Sequence, residues 1–337
     1  MQRAIVTGGG GFIGSALVRA LRDRGIETGV VGRNRYPELE QLDVKHHQGD
    51  IRDPGFLTAC FSGYDTVFHV AAKAGIWGSR ADYFSINLQG TKNVIEACRH
   101  NAIGALIYTS TPSVVFAGED IKGDDESLAY ADNPLCHYAA SKIKAEQLIL
   151  DANDDVLKTT AIRPHLVWGP GDQQLVPRLL ERGRAGQLKI VGQGVNKVDI
   201  TYIDNVVYLH LLAADNLHGA ATAAGEAFFI GQQEPVVLWD WINTLFAEVG
   251  IERIKKRVPF PIAYYSGSLL EFLFFLLRKK QEPKMTRFLA HQLAQSHWFN
   301  HGKAERILGY KELVSTNTGM KRLLEWIDGR TRPGHYR

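Results

Sequence analysis

A tyrosine followed four residues later by a lysine, in Tyr138-Ala139-Ala140-Ser141-Lys142, is a pairing whose types and spacing suggest chemistry. Residues four apart on a helix share a face, so phenol and ammonium would stand together. A free phenol keeps its proton up to about pH 10, and a neighbouring ammonium favours the phenolate and brings proton transfer toward neutrality. Alone, such a pair can equally be an exposed helix pair. A hydroxyl cluster, Tyr108-Thr109-Ser110-Thr111-Pro112-Ser113, narrows the reading. At the end of a strand these hydroxyls can hold a carbonyl oxygen for hydride attack, although hydroxyls there also build turns. The expected chemistry is proton donation by Tyr138 to an oxygen, with Lys142 in support.

A hydride donor has its own signature. Thr7-Gly8-Gly9-Gly10-Gly11-Phe12-Ile13-Gly14 follows an apolar run and opens a helix-period segment. Glycines permit the tight turn and let backbone N–H groups approach a pyrophosphate, whose charge the helix N-terminus favours. Gly9, Gly11 and Gly14 satisfy one dinucleotide spacing and Gly8, Gly11 and Gly14 another, while no Lys-Ser/Thr follows as a P-loop requires. NAD enzymes usually place an acid about 20 residues on, at the end of the second strand. Here that position reads Val31-Gly32-Arg33-Asn34-Arg35. Arg33 and Arg35 suit a 2′-phosphate, so NADP(H) is expected over NAD.

Elements must position these groups. Apolar runs at 4–7, 28–31, 67–70 and 105–109 alternate with helix-period segments near 13–24, 83–100 and 138–151. That alternation predicts an α/β fold, a Rossmann-type doubly wound parallel sheet covered by helices. After Arg163 the pattern turns irregular, with strands expected at 198–202 and 227–230 and helices near 174–185, 204–215 and 239–249. The reading is a dinucleotide-binding region over 1–165 and a smaller, mixed substrate-binding region over 166–337, some of whose elements return to the sheet.

The 337 residues carry a net charge of +3, with 39 basic and 36 acidic side chains, so nucleic acid is not an expected partner. Cys60, Cys98 and Cys136 lie far apart without metal-ligand spacing and read as thiols in a reducing cytoplasm. Met1 leads into too short an apolar run for a signal peptide, and a cytoplasmic protein is expected.

The Gly-rich turn, the hydroxyl cluster and Tyr-x-x-x-Lys, in this order, resemble the extended short-chain dehydrogenases/reductases, in particular their 3β-hydroxysteroid dehydrogenase-like branch. Gly49-Asp50-Ile51, His69-Val70-Ala71-Ala72, Asn87 with Gly90-Thr91, Arg163-Pro164 and Tyr202-Ile203-Asp204-Asn205-Val206 extend the resemblance over almost the whole chain. It implies Thr111, Tyr138 and Lys142 as catalytic residues, Thr111 standing where many relatives have Ser. It also implies Asp50 and Ile51 near the adenine, Pro164 near the nicotinamide, and a cofactor site completed by Gly8, Gly11, Phe12, Ile13, Gly14, Ala71 and Ala72. Within the branch, Lys73-Ala74-Gly75-Ile76-Trp77-Gly78-Ser79, Thr109-Ser110-Thr111-Pro112-Ser113 and Trp168-Gly169-Pro170-Gly171-Asp172-Gln173-Gln174 are similar to the 2-alkyl-3-oxoalkanoate reductases of bacterial long-chain olefin biosynthesis. Those enzymes reduce the 3-ketone of a branched β-keto acid with NADPH. A sterol 3β-dehydrogenase, a sugar-nucleotide epimerase or dehydratase, and an NADP-binding redox sensor without turnover are the other readings.

The greasiest stretch is 262–277, ending in Arg278-Lys279-Lys280. Glu271 interrupts it, and a bilayer span needs about 20 predominantly apolar residues, so it is not expected to cross a membrane. A core helix, an interfacial helix and a lid or partner surface all fit. Expected partners are therefore a long-chain, lipid-like keto acid, a second copy of the chain in a homodimer, and a membrane or protein surface met through 262–280.

Overall fold

In the computed structural model, which describes residues 1–331, seven strands lie parallel in one central sheet. They are β1 (Arg3–Thr7), β2 (Glu27–Gly32), β3 (Lys45–Gln48), β4 (Thr66–His69), β5 (Ala105–Thr109), β6 (Lys158–Pro164) and β7 (Glu226–Ile230). They pair in the order β7-β6-β5-β4-β1-β2-β3. Successive residues of every strand but β3 divide between two apolar cores. Val6, Val30, Phe68, Ile107, Ile162 and Phe228 face one, and Ile5, Val31, Val67, Leu106, Ala161 and Ala227 face the other. Helices cover both faces, which is why β1, β2, β4, β5 and β7 read as largely continuous apolar runs and not as an alternation.

The strand order reverses between β1 and β4. Open α/β sheets bind ligands at the carboxyl ends of their strands at such a reversal. The Gly-rich turn leaves β1 there, and Val70-Ala71-Ala72 leaves β4 beside it. The helix Phe12–Asp23 starts at Gly11 without a side-chain cap, so its first N–H groups remain for a ligand.

Two strands escape a reading based on apolar runs. β3 is Lys-His-His-Gln at the sheet edge, and β6 hides its strand character in Thr159 and Thr160. Those threonine hydroxyls donate to the carbonyls of Ile149 at 2.6 Å and Glu226 at 2.8 Å. The single strand expected at 198–202 is instead two short ones, Lys197–Val198 and Thr201–Tyr202, in different sheets. Asp199 between them turns its carboxylate inward to accept the Phe299 N–H at 2.9 Å. The helix expected over 83–100 is broken by a wider π-turn at Phe84–Gln89 before Gly90–His100. Later helices run Leu175–Arg184, Ile203–His218 and Leu238–Glu248.

Sheet pairing crosses residue 165 in both directions. β7 returns to the central sheet beside β6, while Ile121–Asp124 leaves the first half to pair with His297–Phe299. The apolar stretch forms the helix Phe260–Leu276, in which only Ala263 and Gly267 are buried. The core-helix reading of that stretch is overturned, because Ile262, Tyr265, Leu269, Phe272, Phe275 and Leu276 face outward, while only Phe260 and Tyr264 pack in part against the core.

Candidate active site

The glycines are needed for contact as much as for the turn. Gly8 has φ +71°, and a Cβ there would come within 2.8 Å of the Ala71 backbone. At Gly14 it would strike the Gly8 carbonyl oxygen. The turn is thus a cradle with no room for side chains, lined by the free N–H groups of a helix start, which is the donor set a dinucleotide pyrophosphate requires. Phe12 and Ile13 open that helix. The Tyr36 ring lies over Gly10 and Gly32, a contact the sequence reading missed.

Arg33 and Arg35 are both exposed at the end of β2. Asp50, beyond β3, is paired with Arg52 at 2.7 Å, and this hydrogen-bonded guanidinium holds its carboxyl below the usual range. Ile51 is buried against Gly90, and its carbonyl accepts from Asn93 at 3.0 Å.

A chain of buried hydrogen bonds ties β1 and β4 to the π-turn. The Ala71 N–H donates to the Thr7 hydroxyl at 3.3 Å, and that hydroxyl meets His69 Nδ1 at 2.7 Å. His69 Nε2 meets the Thr91 hydroxyl at 2.9 Å, and Thr91 donates to the Asn87 carbonyl at 2.6 Å. One arrangement of protons satisfies the whole run: Thr91 gives its hydrogen to Asn87, so it accepts from Nε2–H, and Nδ1 accepts from Thr7. Burial, assisted by the Lys142 charge, lowers the His69 pKa to about 3, which keeps the ring neutral. Asn87 brackets the Lys73 backbone, accepting its N–H at 2.7 Å and donating to its carbonyl at 3.1 Å. Its amide also donates to Ser141 at 2.9 Å, and Ser141 donates to the Tyr138 carbonyl at 2.7 Å. A π-turn widens the helix where such a residue must reach sideways, and here it aims Asn87 at the helix that carries Tyr138.

That helix, His137–Asp151, places Tyr138 and Lys142 on one face. Lys142 is buried and donates to the Thr109 carbonyl at 2.7 Å, its ammonium 4.0 Å from the Tyr108 ring centroid. Desolvation lowers its pKa to about 7, opposed by the Glu146 charge. Burial pushes Tyr138 up to about 12, and the Thr111 hydroxyl opposes that push. In this geometry the Lys142 ammonium is engaged by Thr109 and the Tyr108 ring. Thr111 caps the short turn Pro112–Val114 and lies 3.2 Å from the Ser113 hydroxyl. The Tyr83 ring meets Tyr138 edge-on at 6.3 Å, its single hydroxyl hydrogen shared between the carbonyls of Gly75 at 2.8 Å and Trp77 at 3.1 Å.

One helical turn beyond Lys142, Glu146 forms a buried ion pair with Arg163 at 2.6 Å and accepts from Tyr130 at 2.9 Å. The sequence reading missed Glu146, although Tyr138, Lys142 and Glu146 repeat at the same four-residue spacing. Arg163 points back into this pair, while Pro164 ends β6.

Over residues 5–262 the sequence matches the 3-beta hydroxysteroid dehydrogenase/isomerase family. The chain belongs to that family. It is therefore an oxidoreductase of the extended short-chain type, and among its relatives is the 2-alkyl-3-oxoalkanoate reductase of Stenotrophomonas maltophilia (strain K279a). That relative is 47% identical over 324 residues, covering 96% of this chain and 98% of its own length. The decarboxylating sterol-4-alpha-carboxylate 3-dehydrogenase of Mus musculus is 35% identical over 329 residues, covering 96% of this chain and 90% of its own. The crystal structure of gox2253 shares the family fold with a TM-score of 0.80 at 24% identity, covering 98% of this chain and 99% of that one.

Proposed function

We propose that this protein reduces the 3-ketone of a 2-alkyl-3-oxoalkanoic acid to the 2-alkyl-3-hydroxyalkanoic acid with NADPH, Tyr138 giving the proton. The observation that carries this reading is the near full-length similarity to a reductase of that name, joined to buried Thr111 and Lys142 and half-buried Tyr138 around the carboxyl end of β5. The Gly8, Gly11, Phe12, Ile13 and Gly14 cradle would hold the pyrophosphate, and Lys142 the nicotinamide ribose. Asp50 and Ile51 would stand near the adenine, and Ala71, Ala72 and Pro164 would line the path toward the nicotinamide. Exposed Arg33 and Arg35 favour NADPH over NADH, because a guanidinium matches a 2′-phosphate in charge and geometry. Bound there, the reduced dinucleotide supplies hydride to the ketone carbon. Thr111 holds the ketone oxygen, and Tyr138, kept protonated by its burial, gives that oxygen its proton. Lys142, on the same helix face as Tyr138, would bring its charge toward the phenol.

A sterol substrate is the second reading, favoured by the similarity to the mouse enzyme. Loss of nicotinamide absorbance should be followed with NADPH and with NADH, offering a 2-alkyl-3-ketoalkanoic acid, a 3-ketosteroid and a UDP-sugar. Turnover of the keto acid with NADPH is expected. Turnover of the steroid alone would keep the mechanism and replace the substrate, and NADPH binding without turnover of any of the three would leave the sensor reading.

A further inference from the structure

The helix Phe260–Leu276 inverts the usual rule for a surface helix. Ile262, Tyr265, Leu269, Phe272 and Leu276, spaced three and four apart, form one exposed apolar stripe, widened by Phe275 at 77% exposure and Leu277 at 61%. Contiguous apolar surface of this kind marks a contact with something not yet present. The opposite, narrow side docks on the helix Arg287–Ala294. Gly267 lies against the backbone of Thr286 and Arg287, and Glu271 pairs with Arg287 at 2.7 Å.

Charge says what covers the stripe. Arg253, Lys255, Lys256 and Arg257 precede the helix, and Arg278, Lys279, Lys280 and Lys284 follow it, all exposed. Among the described residues only Lys255 of these eight has an ion-pair partner, Glu252 at 3.3 Å. Two copies packed antiparallel along this helix would set cationic end against cationic end. An anionic bilayer surface instead satisfies both ends and the stripe between them. At 17 residues the helix is about 25 Å long, and no described helix is long and apolar enough to cross a membrane, so it would lie in the interface.

This surface is joined to the site. Phe274 meets the Trp77 ring edge-on at 6.2 Å, and the Trp77 indole N–H donates to the Lys279 carbonyl at 3.1 Å. The Trp77 carbonyl in turn holds the Tyr83 hydroxyl, whose ring touches Tyr138.

We propose that the helix Phe260–Leu276 lies in the surface of an anionic membrane, so that long-chain substrate reaches Tyr138 from the lipid past Trp77. The access route rests on the keto-acid reading above, whereas membrane binding stands without it. The test is flotation of the full-length protein with phosphatidylglycerol and with phosphatidylcholine vesicles, at low and high salt. Binding to the anionic vesicles that weakens with salt is expected. Arg278→Ala/Lys279→Ala/Lys280→Ala should lower it on the order of a hundredfold, at about fivefold per charge. Phe272→Asp/Phe275→Asp should abolish it, and because both side chains are exposed this variant should keep its melting temperature and its rate on a short, soluble keto acid. Its rate on a long-chain keto acid presented in vesicles should fall. Equal flotation of wild type and both variants, or no flotation on either lipid, would overturn the proposal. So would an apolar-face variant that only converts a dimer to a monomer, since that would assign the stripe to a second copy. Lack of keto-acid turnover with intact flotation would fault the substrate reading and spare the membrane one.

Discussion

Along the helix His137–Asp151, polar side chains are buried; along the helix Phe260–Leu276, apolar ones are exposed. Ser141, Lys142 and Glu146 are each covered, and Phe272, Phe275 and Leu276 are each open. Both arrangements run against hydrophobic burial and each needs a compensating cause. In the first, compensation is internal, because every buried group meets a partner: Ser141 meets Asn87 and Tyr138, Lys142 meets Thr109, and Glu146 meets Arg163 and Tyr130. In the second it must come from outside the chain. Departures from the burial rule thus mark the proposed site on one helix and an exposed apolar face on the other, and they differ in what a mutation should cost.

Among the buried polar groups the largest loss is expected at Glu146→Gln. It leaves the buried Arg163 charge without its counter-ion, which costs about 3–5 kcal/mol by urea denaturation. A change under 1 kcal/mol would mean that the interior compensation is not electrostatic. Lys142→Met tests the same region by pH. Folding depresses the Lys142 pKa to about 7, so the buried ammonium opposes folding in full below that pH. Above it the unfolded chain binds the extra proton, and stability rises with pH until the ordinary lysine range is reached. The ligand-free variant should be the more stable near neutrality, and its advantage should shrink by roughly 1.4 kcal/mol per pH unit above about pH 7. A constant gap would contradict the burial of a charge. The smallest effect belongs to the exposed helix: Phe275→Ser should change stability by less than about 0.5 kcal/mol in the absence of lipid, whereas Phe228→Ala in the sheet should cost about 3–5 kcal/mol.

The buried region was the more legible of the two in sequence. Gly8, Gly11, Gly14, Tyr138 and Lys142 are local signals, set by a turn and by a helical spacing, and the apolar runs of β1, β2, β4 and β5 are local as well. What escaped depends on distant partners. β3 and β6 are polar strands that the sheet order recruits. Tyr83 reaches Tyr138 only because the π-turn and the loop at 73–79 fold against the helix His137–Asp151. The outward face of 262–277 was open to three readings because composition does not tell which side of an apolar helix is covered. That depended on Gly267 allowing close contact along a narrow edge.

The most direct measurement is ketone reduction by Tyr138→Phe on the 2-alkyl-3-ketoalkanoic acid, with NADPH binding and melting temperature determined on the same preparation. The account predicts unchanged folding and cofactor affinity with a rate reduced about 10²- to 10⁴-fold. A Tyr138→Phe protein that binds NADPH and reduces the ketone at the original rate would contradict it.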